Sequence, residues 1–536
     1  MKKSFIKILP LVFGIALIST ACKKYLYEGP ISTTYETEFW TSQSSVEQAT
    51  LAMYGQLRNN LRATGTGGGN EAAHFINGDL VAGTFLPVPS SFLSYSLTSP
   101  AAGYAGNKGI PFYFNYVPYW ANALNNWSRY YQLIAQCNLI LENVPAMNTS
   151  MFSSEAVRQR YLAEALFIRS YAYFYMIRIW GDPVYVNKLY KDIDYGNIPP
   201  VARTAESAVL DSCLLDLKKA ANYFGAPASV GTPAIRANAG SNSALIAHIY
   251  AWKHQYDSAH VYCQKVINNY GYGMETMANY TNLWQGVGSA ENIFELPMTV
   301  TNNDPNFKPG ATNSWTEAQF NCFATFLKGP AVSNLKTSCW IAPLGGVVNK
   351  NLFIDSINDA RFKRILQYTP AQGNDKAGYT LLKYTKFAFQ DSVKRVLPYI
   401  NNNLVLMRLS DIYLLDAEAL ANTGDLTGAA IALSKTQIRA GINSYTKPTD
   451  KASMINEIVA ERGREFIGEG SWYYDLIRTE STLQGLTGVG SGWLEKVGYR
   501  VDRTNATLKG YYWPLDMTTL FPQNNLLTQN PYFTIN

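Results

Sequence analysis

Segments with helical periodicity dominate the chain: apolar residues recur at i, i+3 and i+4, the spacing that lines one face of an α-helix. This pattern predicts helices over residues 46–61, 127–144, 157–180, 205–224, 241–252, 257–269, 404–422, 427–440 and 451–467. A small strand region is predicted at 379–389 and 396–400. We therefore expect a mainly α-helical scaffold with long loop-rich insertions.

Two of the predicted helix pairs share a pattern of small residues. Ala247 precedes Ala259 by twelve positions within 244–270, and Ala417 precedes Ala429 by the same twelve within 408–441. This spacing resembles the tetratricopeptide repeat, in which small residues let two antiparallel helices approach closely. The 170 positions between Ala247 and Ala417 predict divergent repeats interrupted by insertions. The alternative is a pair of unrelated helical hairpins that use alanine for packing.

Two long segments, 80–128 and 297–350, have no sustained periodicity and interleave aromatic residues with Gly, Pro, Ser and Asn. Loops of this length are usually functional or disordered, and aromatic residues disfavour disorder because their burial offsets the entropy of ordering. Lys108 is the only charged residue between Leu80 and Ser128. Aromatic rings with an apolar face and a polar edge suit stacking on sugars. The candidate ligand-binding residues are Tyr95, Tyr104, Phe112, Trp284, Trp315 and Trp340.

The first 22 residues have the composition of an export signal. Lys2, Lys3 and Lys7 precede an apolar run at 8–18, which is too short to span a bilayer. Small residues then lead to Cys22, an arrangement that resembles the bacterial lipoprotein cleavage site, at which the cysteine thiol is acylated. We expect residues 1–21 to be removed and Cys22 to carry a lipid anchor. The alternative is ordinary secretion with cleavage near Ala21.

The charge balance points away from nucleic acid. The 536-residue precursor carries +6, and removal of three lysines with the leader leaves 6 − 3 = +3. Such a small surplus argues against nucleic acid or a strongly charged partner. A weakly charged chain rich in Asn and Tyr suits uncharged polar ligands better.

The cysteines and histidines predict no metal site and no cofactor. Five cysteines follow Cys22 without a CxxC pair, and Cys137, Cys213 and Cys263 fall in helical patterns as buried thiols. Cys322 and Cys339 share one loop-rich segment, and pairing between them stays open. The histidines at 248, 254 and 260 are six apart, so we expect surface or packing roles on different helix faces.

Common catalytic motifs are absent from the sequence. It contains no HExxH, no GxxxxGK[ST] and no GxSxG. A glycosidase needs only two carboxylates at a set separation, so a surface-anchored glycosidase remains an alternative to a binding protein.

Several ordered motifs carry a family resemblance. They are Cys22-Lys-Lys-Tyr-Leu-Tyr-Glu-Gly-Pro30, Tyr35-Glu-Thr-Glu-Phe-Trp40, Glu164-Ala-Leu-Phe-Ile-Arg-Ser-Tyr-Ala-Tyr-Phe-Tyr175, Trp180-Gly-Asp-Pro-Val184, Met407-Arg-Leu-Ser-Asp411, Asp416-Ala-Glu-Ala419, Glu461-Arg-Gly-Arg-Glu-Phe466, Glu469-Gly470, Asp475-Leu-Ile-Arg478 and Leu527-Thr-Gln-Asn-Pro531. Together they resemble the SusD/RagB family of Bacteroidetes outer-membrane lipoproteins. Trp472 stands where that family usually has Arg, and Asp516 stands where a second Pro is common.

The resemblance implies an architecture and a function. It implies one SusD-like body over 22–536, made of an N-terminal part (22–230), a helix pair (231–290) and a C-terminal part (291–536) with a loop insertion at 297–400. It also implies a lipid-anchored protein of the outer membrane, facing outward, that captures oligosaccharides for a SusC-like TonB-dependent β-barrel transporter. Capture of oligopeptides by a member of the same family is the alternative ligand class.

The charged signature motifs predict a structural network. Glu465 lies four positions after Glu461 and three after Arg462, and Glu469 lies four after Glu465, so on a helix these side chains can form ion pairs along one face. The rigid fork of arginine donors ties several carboxylates together. We interpret these residues, and Arg408 with Asp411, as scaffold rather than catalytic groups.

Overall fold

A computed structural model describes residues 39–62, 72–80, 82–87, 124–189, 199–225, 231, 233–298, 323, 326, 340–344, 348, 352–371, 377–391, 396–443, 445, 448–479 and 511–531. The export signal, Cys22, Cys322 and Cys339 lie outside these residues. The fold is mainly α-helical, as the periodicity predicts.

The described residues contain twelve α-helices, some of them separated by long non-helical stretches. They are α1 (Gln43–Arg62), α2 (Ala73–Phe75), α3 (Ser128–Ala146), α4 (Glu155–Trp180), α5 (Glu206–Phe224), α6 (Ala239–Trp252), α7 (Tyr256–Asn269), α8 (Ala360–Ile365), α9 (Leu409–Thr423), α10 (Leu426–Arg439), α11 (Lys451–Glu465) and α12 (Trp472–Arg478). A π-helical turn, Ile76–Leu80, continues α2, and 3-10 turns cover Thr149–Met151 and Tyr280–Trp284.

The strands are short and lie in the C-terminal half, except β1. They are β1 (Leu86–Pro87), β2 (Asn292–Pro297), β3 (Trp340–Pro343), β4 (Leu366–Thr369), β5 (Gly378–Leu381), β6 (Phe387–Asp391), β7 (Val396–Ile400) and β8 (Asn403–Arg408). They form a sheet of order β1-β3-β5-β4 and two antiparallel pairs, β2-β8 and β6-β7. The predicted strand region at 379–389 and 396–400 is thus confirmed.

The helix predicted over 404–422 begins later in the structure than the sequence pattern indicates. Residues 404–408 belong to β8, which pairs with β2, and the helix starts only at Leu409. Leu404, Val405 and Met407 are buried, so this run is apolar on both faces. A short continuous apolar run does not by itself distinguish a strand from a helix. Pairing with a strand more than a hundred residues away decides the outcome.

The helices pack as one continuous stack. Each helix contacts the next one in the order α1, α3, α4, α5, α6 and α7. Helix α7 then contacts α9, which contacts α10, and α10 contacts α11. The α6–α7 hairpin therefore lies directly against the α9–α10 hairpin, although the insertion separates them in sequence. Ala247, Ala259, Ala417 and Ala429 are completely buried. Their burial is what close helix contacts between small residues require, in repeat-like pairs and in unrelated hairpins alike.

Two histidines contribute to the interface between the hairpins, which agrees with the expected packing role but not with the argument from spacing along one helix. His248 on α6 lies 2.6 Å from an Asp411 carboxylate oxygen, and His260 on α7 lies 2.7 Å from Asp416. Both aspartates belong to α9. Six-residue spacing along one helix does not apply, because a turn separates the two histidines. Cys137, Cys213 and Cys263 are buried free thiols, as predicted.

A buried ion network centred on Glu465 holds the C-terminal half together. Arg361 contacts Glu465 at 2.9 Å and Glu461 at 2.6 Å, and Arg408 and Arg439 also contact Glu465. Burial works to raise the pKa of Glu465, but the three guanidinium groups outweigh it and hold the pKa well below its usual range. The predicted scaffold role of these motifs is therefore supported. Glu469 takes part from the loop after α11 rather than from the helix itself.

Arg462 points away from that network. Its guanidinium lies 2.6 Å from Asp411 and 2.8 Å from Asp475, which links α11 to α9 and α12. Burial works to raise the pKa of Asp411, but His248 and Arg462 outweigh it and lower the pKa. Arg408 and Asp411 lie one turn apart but have different partners. Arg408 pairs with Glu465, whereas Asp411 pairs with His248 and Arg462.

The π-helical turn is clamped to the loop that follows α11. Asp79 accepts hydrogen bonds from the backbone N–H groups of Gly468 (2.9 Å) and Gly470 (2.7 Å). Gly78 packs so closely on Gly470 that a Cβ there would lie 2.0 Å from the Gly470 carbonyl oxygen. Burial raises the pKa of Asp79 to about 7. The chain entering the first aromatic segment is thus fixed to the signature region near the C-terminus.

His74, one turn earlier, reinforces the same clamp. Its Nε2 lies 3.1 Å from the Glu469 carbonyl oxygen, and its Nδ1 lies 2.8 Å from the Tyr175 hydroxyl. Because a carbonyl only accepts, Nε2 donates, and Nδ1 accepts from the tyrosine. Burial lowers the pKa of His74 to about 4, so the ring is neutral at physiological pH.

We predict that enlarging a buried alanine in either hairpin destabilises the protein. Ala247→Leu and Ala417→Leu each overpack a helix contact and should lower the free energy of unfolding by about 1–3 kcal/mol. Denaturant titration of each variant measures this loss. Ala430→Leu, at an exposed position of α10 next to Ala429, is the matched control and should change stability little. Equal stability of all three variants would contradict the repeat-like packing.

We also predict that Asp79 and His74 change the stability of the protein with pH in opposite directions. Between about pH 4 and pH 7 the folded state keeps a proton on Asp79 that the unfolded chain loses, so this residue makes stability fall as pH rises. His74 does the reverse, because between about pH 4 and pH 6.5 the unfolded chain binds the proton that the folded state excludes. Its contribution is present above about pH 6.5 and is lost as pH falls.

Thermal midpoints measured from pH 4 to pH 8 test these signs. The dependence of the midpoint on pH should become more positive in Asp79→Asn and more negative in His74→Gln. Only the slope is compared, since each substitution also changes local hydrogen bonds. Two variants with the wild-type slope would show that neither group titrates as described.

Candidate functional site

The structure describes only part of the predicted ligand site. Tyr95, Tyr104, Phe112 and Trp315 lie outside the described residues. Trp340 is the first residue of β3, and its backbone alone is described. The described residues show how the start of the first aromatic segment and the end of the second are held.

Trp284 is not a ligand platform, which corrects the sequence prediction. It ends a 3-10 turn, is fully buried, and packs edge-on against Tyr280 with 5.1 Å between ring centroids. The Lys383 ammonium lies 4.6 Å from its ring centroid. The polar and glycine neighbours that suggested exposure are consistent with a turn, but the turn faces inward. Trp284 acts as a core residue and a cation–π partner.

A pair of strands joins the two aromatic segments. In β1, close to the start of the first segment, Leu86 pairs with Ile341, and Pro87 pairs with Trp340, near the end of the second segment. More than two hundred residues separate the paired positions. The antiparallel pairing therefore brings the start of segment 80–128 to the end of segment 297–350, as a shared site requires.

Buried aromatic residues support the same junction. Phe323 and Phe326 from the second segment pack against Phe75, with ring centroids 6.1 and 4.8 Å apart. Phe326 also contacts Phe85 at 5.3 Å, and Phe323 stacks on Tyr384 at 4.1 Å. These rings are at most 1 % exposed. Some of the aromatic residues in the loop segments thus anchor the loops rather than contact a ligand.

The clamp described above sets the position of β1. Thr84 donates a hydrogen bond from its hydroxyl to the Asp79 carbonyl oxygen at 2.8 Å, and both residues are fully buried. Phe85 and β1 follow immediately. The chain is consequently fixed from the π-helical turn to the strand that meets β3. Sequence reasoning missed this device, for which the only signal was the single charge at position 79 before a long neutral segment.

A cleft in the scaffold lies beside the ion pairs rather than between the loop segments. It has a volume of about 60 Å³ and is bordered by Arg178, Ser471 and Met407 together with the Asp411–Arg462–Asp475 ion pairs. Its lining carries the ion pairs that link α9, α11 and α12, so we assign the cleft to the scaffold.

Two negative findings apply to the described part of the chain. No group of three or more His, Cys, Asp or Glu side chains there is arranged to hold a metal ion. Among the same residues, no helix combines the length and the apolarity needed to cross a membrane.

Two family models match separate parts of the chain. Residues 340–533 match a model described as the SusD family, and residues 110–251 match one described as starch-binding and associating with the outer membrane. Together they cover most of the helices that carry the family-like motifs, and the end of the second aromatic segment.

Curated relatives match over most of their length. A SusD-like protein of Bacteroides ovatus is 24 % identical over 499 residues, which span 86 % of this chain and 80 % of the relative. SusD-like protein P25 of Formosa agariphila is 24 % identical over 494 residues, which span 85 % of this chain and 87 % of the relative. Their names describe SusD-like proteins and no reaction.

Solved structures show the same fold. A SusD homologue from Bacteroides thetaiotaomicron aligns with a TM-score of 0.68 and 22 % identity, covering 92 % of this chain and 99 % of that one. A laminarin-binding SusD-like protein aligns with a TM-score of 0.64 and 20 % identity over the same shares. The names and descriptions point to non-catalytic binding. This chain belongs to the SusD/RagB family of Bacteroidetes proteins.

Proposed function

We propose that this protein captures neutral oligosaccharides at the outer cell surface and delivers them to a SusC-like TonB-dependent transporter. The pairing of β1 with β3 carries the proposal, because it joins two long aromatic segments that the sequence singles out for ligand contact. Stacking of sugar rings on Tyr and Trp needs such a concentration of aromatic side chains. The family description of starch binding and the laminarin-binding neighbour support the same ligand class.

Charge favours glycans over peptides. The first aromatic segment carries a single charged residue, Lys108, between Leu80 and Ser128. Peptide termini and acidic or basic side chains need compensating charges when they are bound, because an unpaired desolvated charge is costly. A surface of this composition matches hydroxyl groups instead.

We predict that glycan binding depends on a few aromatic residues. Affinity electrophoresis of the purified protein through gels containing laminarin or soluble starch measures retardation. Single changes to Ala at Tyr95, Tyr104, Phe112, Trp315 and Trp340 should reveal at least one residue whose loss weakens binding about tenfold, because binding energy concentrates in few residues. Thermal stability should change little in that variant.

Matched controls separate ligand contact from folding. Tyr368 is 56 % exposed on β4, outside both aromatic segments, and Tyr368→Ala should leave retardation unchanged. Trp284→Ala removes a buried ring and should destabilise the protein. Binding of peptides with no binding of any polysaccharide would favour the oligopeptide alternative. Release of new reducing ends from a bound polysaccharide would instead indicate a glycosidase.

Membrane anchorage and the transporter partner are tested together. We propose that Cys22 carries the lipid and that the protein covers the mouth of the barrel, where tethering raises its effective concentration. Mild detergent extraction and pull-down through this protein should recover a large TonB-dependent barrel. Cys22→Ser should leave the membrane fraction or block processing. Recovery of the protein alone after mild crosslinking would argue against the partner, and a processed, membrane-bound Cys22→Ser protein would argue against the anchor.

A further inference from the structure

Arg178 borders the scaffold cleft and has no carboxylate partner among the described residues. It lies in the last turn of α4 and is half-buried. Its Nε is buried and lacks a hydrogen-bond partner in the same part of the chain. The Tyr171 hydroxyl, which also borders the cleft, interacts with the guanidinium but carries no charge. Withdrawing a charge from water without an opposite charge is costly, so this arginine needs an explanation.

The other arginines that border the cleft are paired inside the protein. The pairs are Arg408 with Glu469 (2.9 Å), Arg462 with Asp411 (2.6 Å) and Arg478 with Asp475 (2.9 Å). These three acids are also the carboxylates that border the cleft. The cleft therefore contains one guanidinium group, that of Arg178, which the described carboxylates leave uncompensated.

Aromatic rings hold the Arg178 guanidinium in place. Its central carbon lies 4.6 Å from the Phe174 ring centroid and 4.5 Å from the Tyr474 ring centroid. A guanidinium over an aromatic ring gains a cation–π attraction, and its N–H donors lie in its own plane, where they remain free to bind an acceptor. The group is thus positioned before any ligand arrives, which reduces the entropy lost on binding.

The cleft is open to solvent. Four of the residues that border it are partly exposed, namely Arg178, His248, Leu406 and Ser471. The rest of its lining is buried. A small solute can therefore enter the cleft and is largely surrounded by protein once it is bound.

We propose that the cleft binds one small monovalent anion, a chloride ion or a single carboxylate group, through the Arg178 guanidinium. Guanidinium groups only donate hydrogen bonds, and those they make to anions are strong. A divalent anion is disfavoured, because the carboxylates of Asp411, Glu469 and Asp475 border the same cleft and repel it more strongly. The bound anion is part of the scaffold, since it links α4 to the ion pairs of α9, α11 and α12. This site does not depend on the proposed function.

Scanning calorimetry tests the site in solution. A ligand that binds only the folded protein raises the thermal midpoint, and for a chain of this length the rise should be about 1 °C per tenfold increase in chloride above the dissociation constant. Ionic strength is held constant by replacing the sodium salt of a bulky sulfonate buffer with sodium chloride. Sodium formate provides the carboxylate arm, and the anion with the larger effect identifies the preferred ligand. A midpoint that neither anion raises would overturn the proposal.

Two matched variants locate the effect. Arg178→Gln should abolish the dependence of the midpoint on chloride and formate, whereas Arg160→Gln should keep it. Arg160 lies on the same helix and carries the same charge, its side chain is 48 % exposed, and its partner Glu164 is also held by Arg236 at 2.9 Å. A dependence that both variants keep would overturn the assignment to Arg178. Its loss in both would show an effect of net charge rather than a site.

Bromide locates the anion directly and needs no variant, so the test survives if Arg178→Gln fails to fold. Wild-type crystals soaked in sodium bromide should show an anomalous peak in the cleft, in contact with the Arg178 guanidinium. A cleft without such a peak would overturn the proposal. A peak in crystals combined with no chloride or formate dependence in solution would indicate an adventitious ion only. Absence of polysaccharide binding would overturn the proposed function and leave this site unaffected.

Discussion

The structure depends on one buried carboxylate. Glu465 accepts from Arg361, Arg408 and Arg439, which come from three different elements, α8, β8 and α10. Desolvating so many charges is costly, and removing one partner from a buried pair typically costs about 3–5 kcal/mol. The network therefore favours one arrangement of the C-terminal half strongly over others. Since α11 ends at Glu465, this arrangement also fixes the loop at Gly468–Gly470 that receives Asp79.

The ion network holds the loop after α11, and that loop in turn holds the start of the first aromatic segment. Arg408 and Lys383 hold Glu469, and the backbone on either side of Glu469 donates to Asp79. Asp79 positions Thr84 and hence β1, which pairs with the end of the second aromatic segment. A ligand site built from long loops needs rigid ends, because ordering a flexible loop opposes binding. Here the ends are tied to the most deeply buried charges of the scaffold.

Periodicity predicted the helices because most of them bury one face against their neighbours, so the sequence of a single element carries the pattern, whereas α4 and α6 are buried almost all round. The prediction failed at 404–408, where an apolar run is buried on both faces and a distant strand determines the structure. The prediction that Trp284 faces a ligand was wrong for a related reason, because polar neighbours identify a turn but not the direction in which it faces. The charged signature motifs do take part in a scaffold network, but the sequence predicted ion pairs along one helix face, whereas Glu465 and Arg462 pair with residues of other elements.

The sequence marks the two aromatic segments by their composition, but it does not predict how the structure joins them. Aromatic residues without periodicity marked the two segments, whereas the pairing of Pro87 with Trp340 depends on contacts across more than two hundred residues.

The distribution of charge connects the scaffold with the ligand. Charged residues make up only 16 % of the chain, and Arg361, Arg408, Arg462 and Arg464 are among its largest fully buried side chains. Each of them is paired with carboxylates inside the protein. In most proteins such residues lie at the surface, where they interact with solvent and partners. Here a substantial part of the charge stabilises the interior, and the segment between Leu80 and Ser128 keeps one lysine. Buried charge thus fixes the described start of the first aromatic segment, and the nearly neutral composition of that segment suits the uncharged, hydroxyl-rich ligand that we propose.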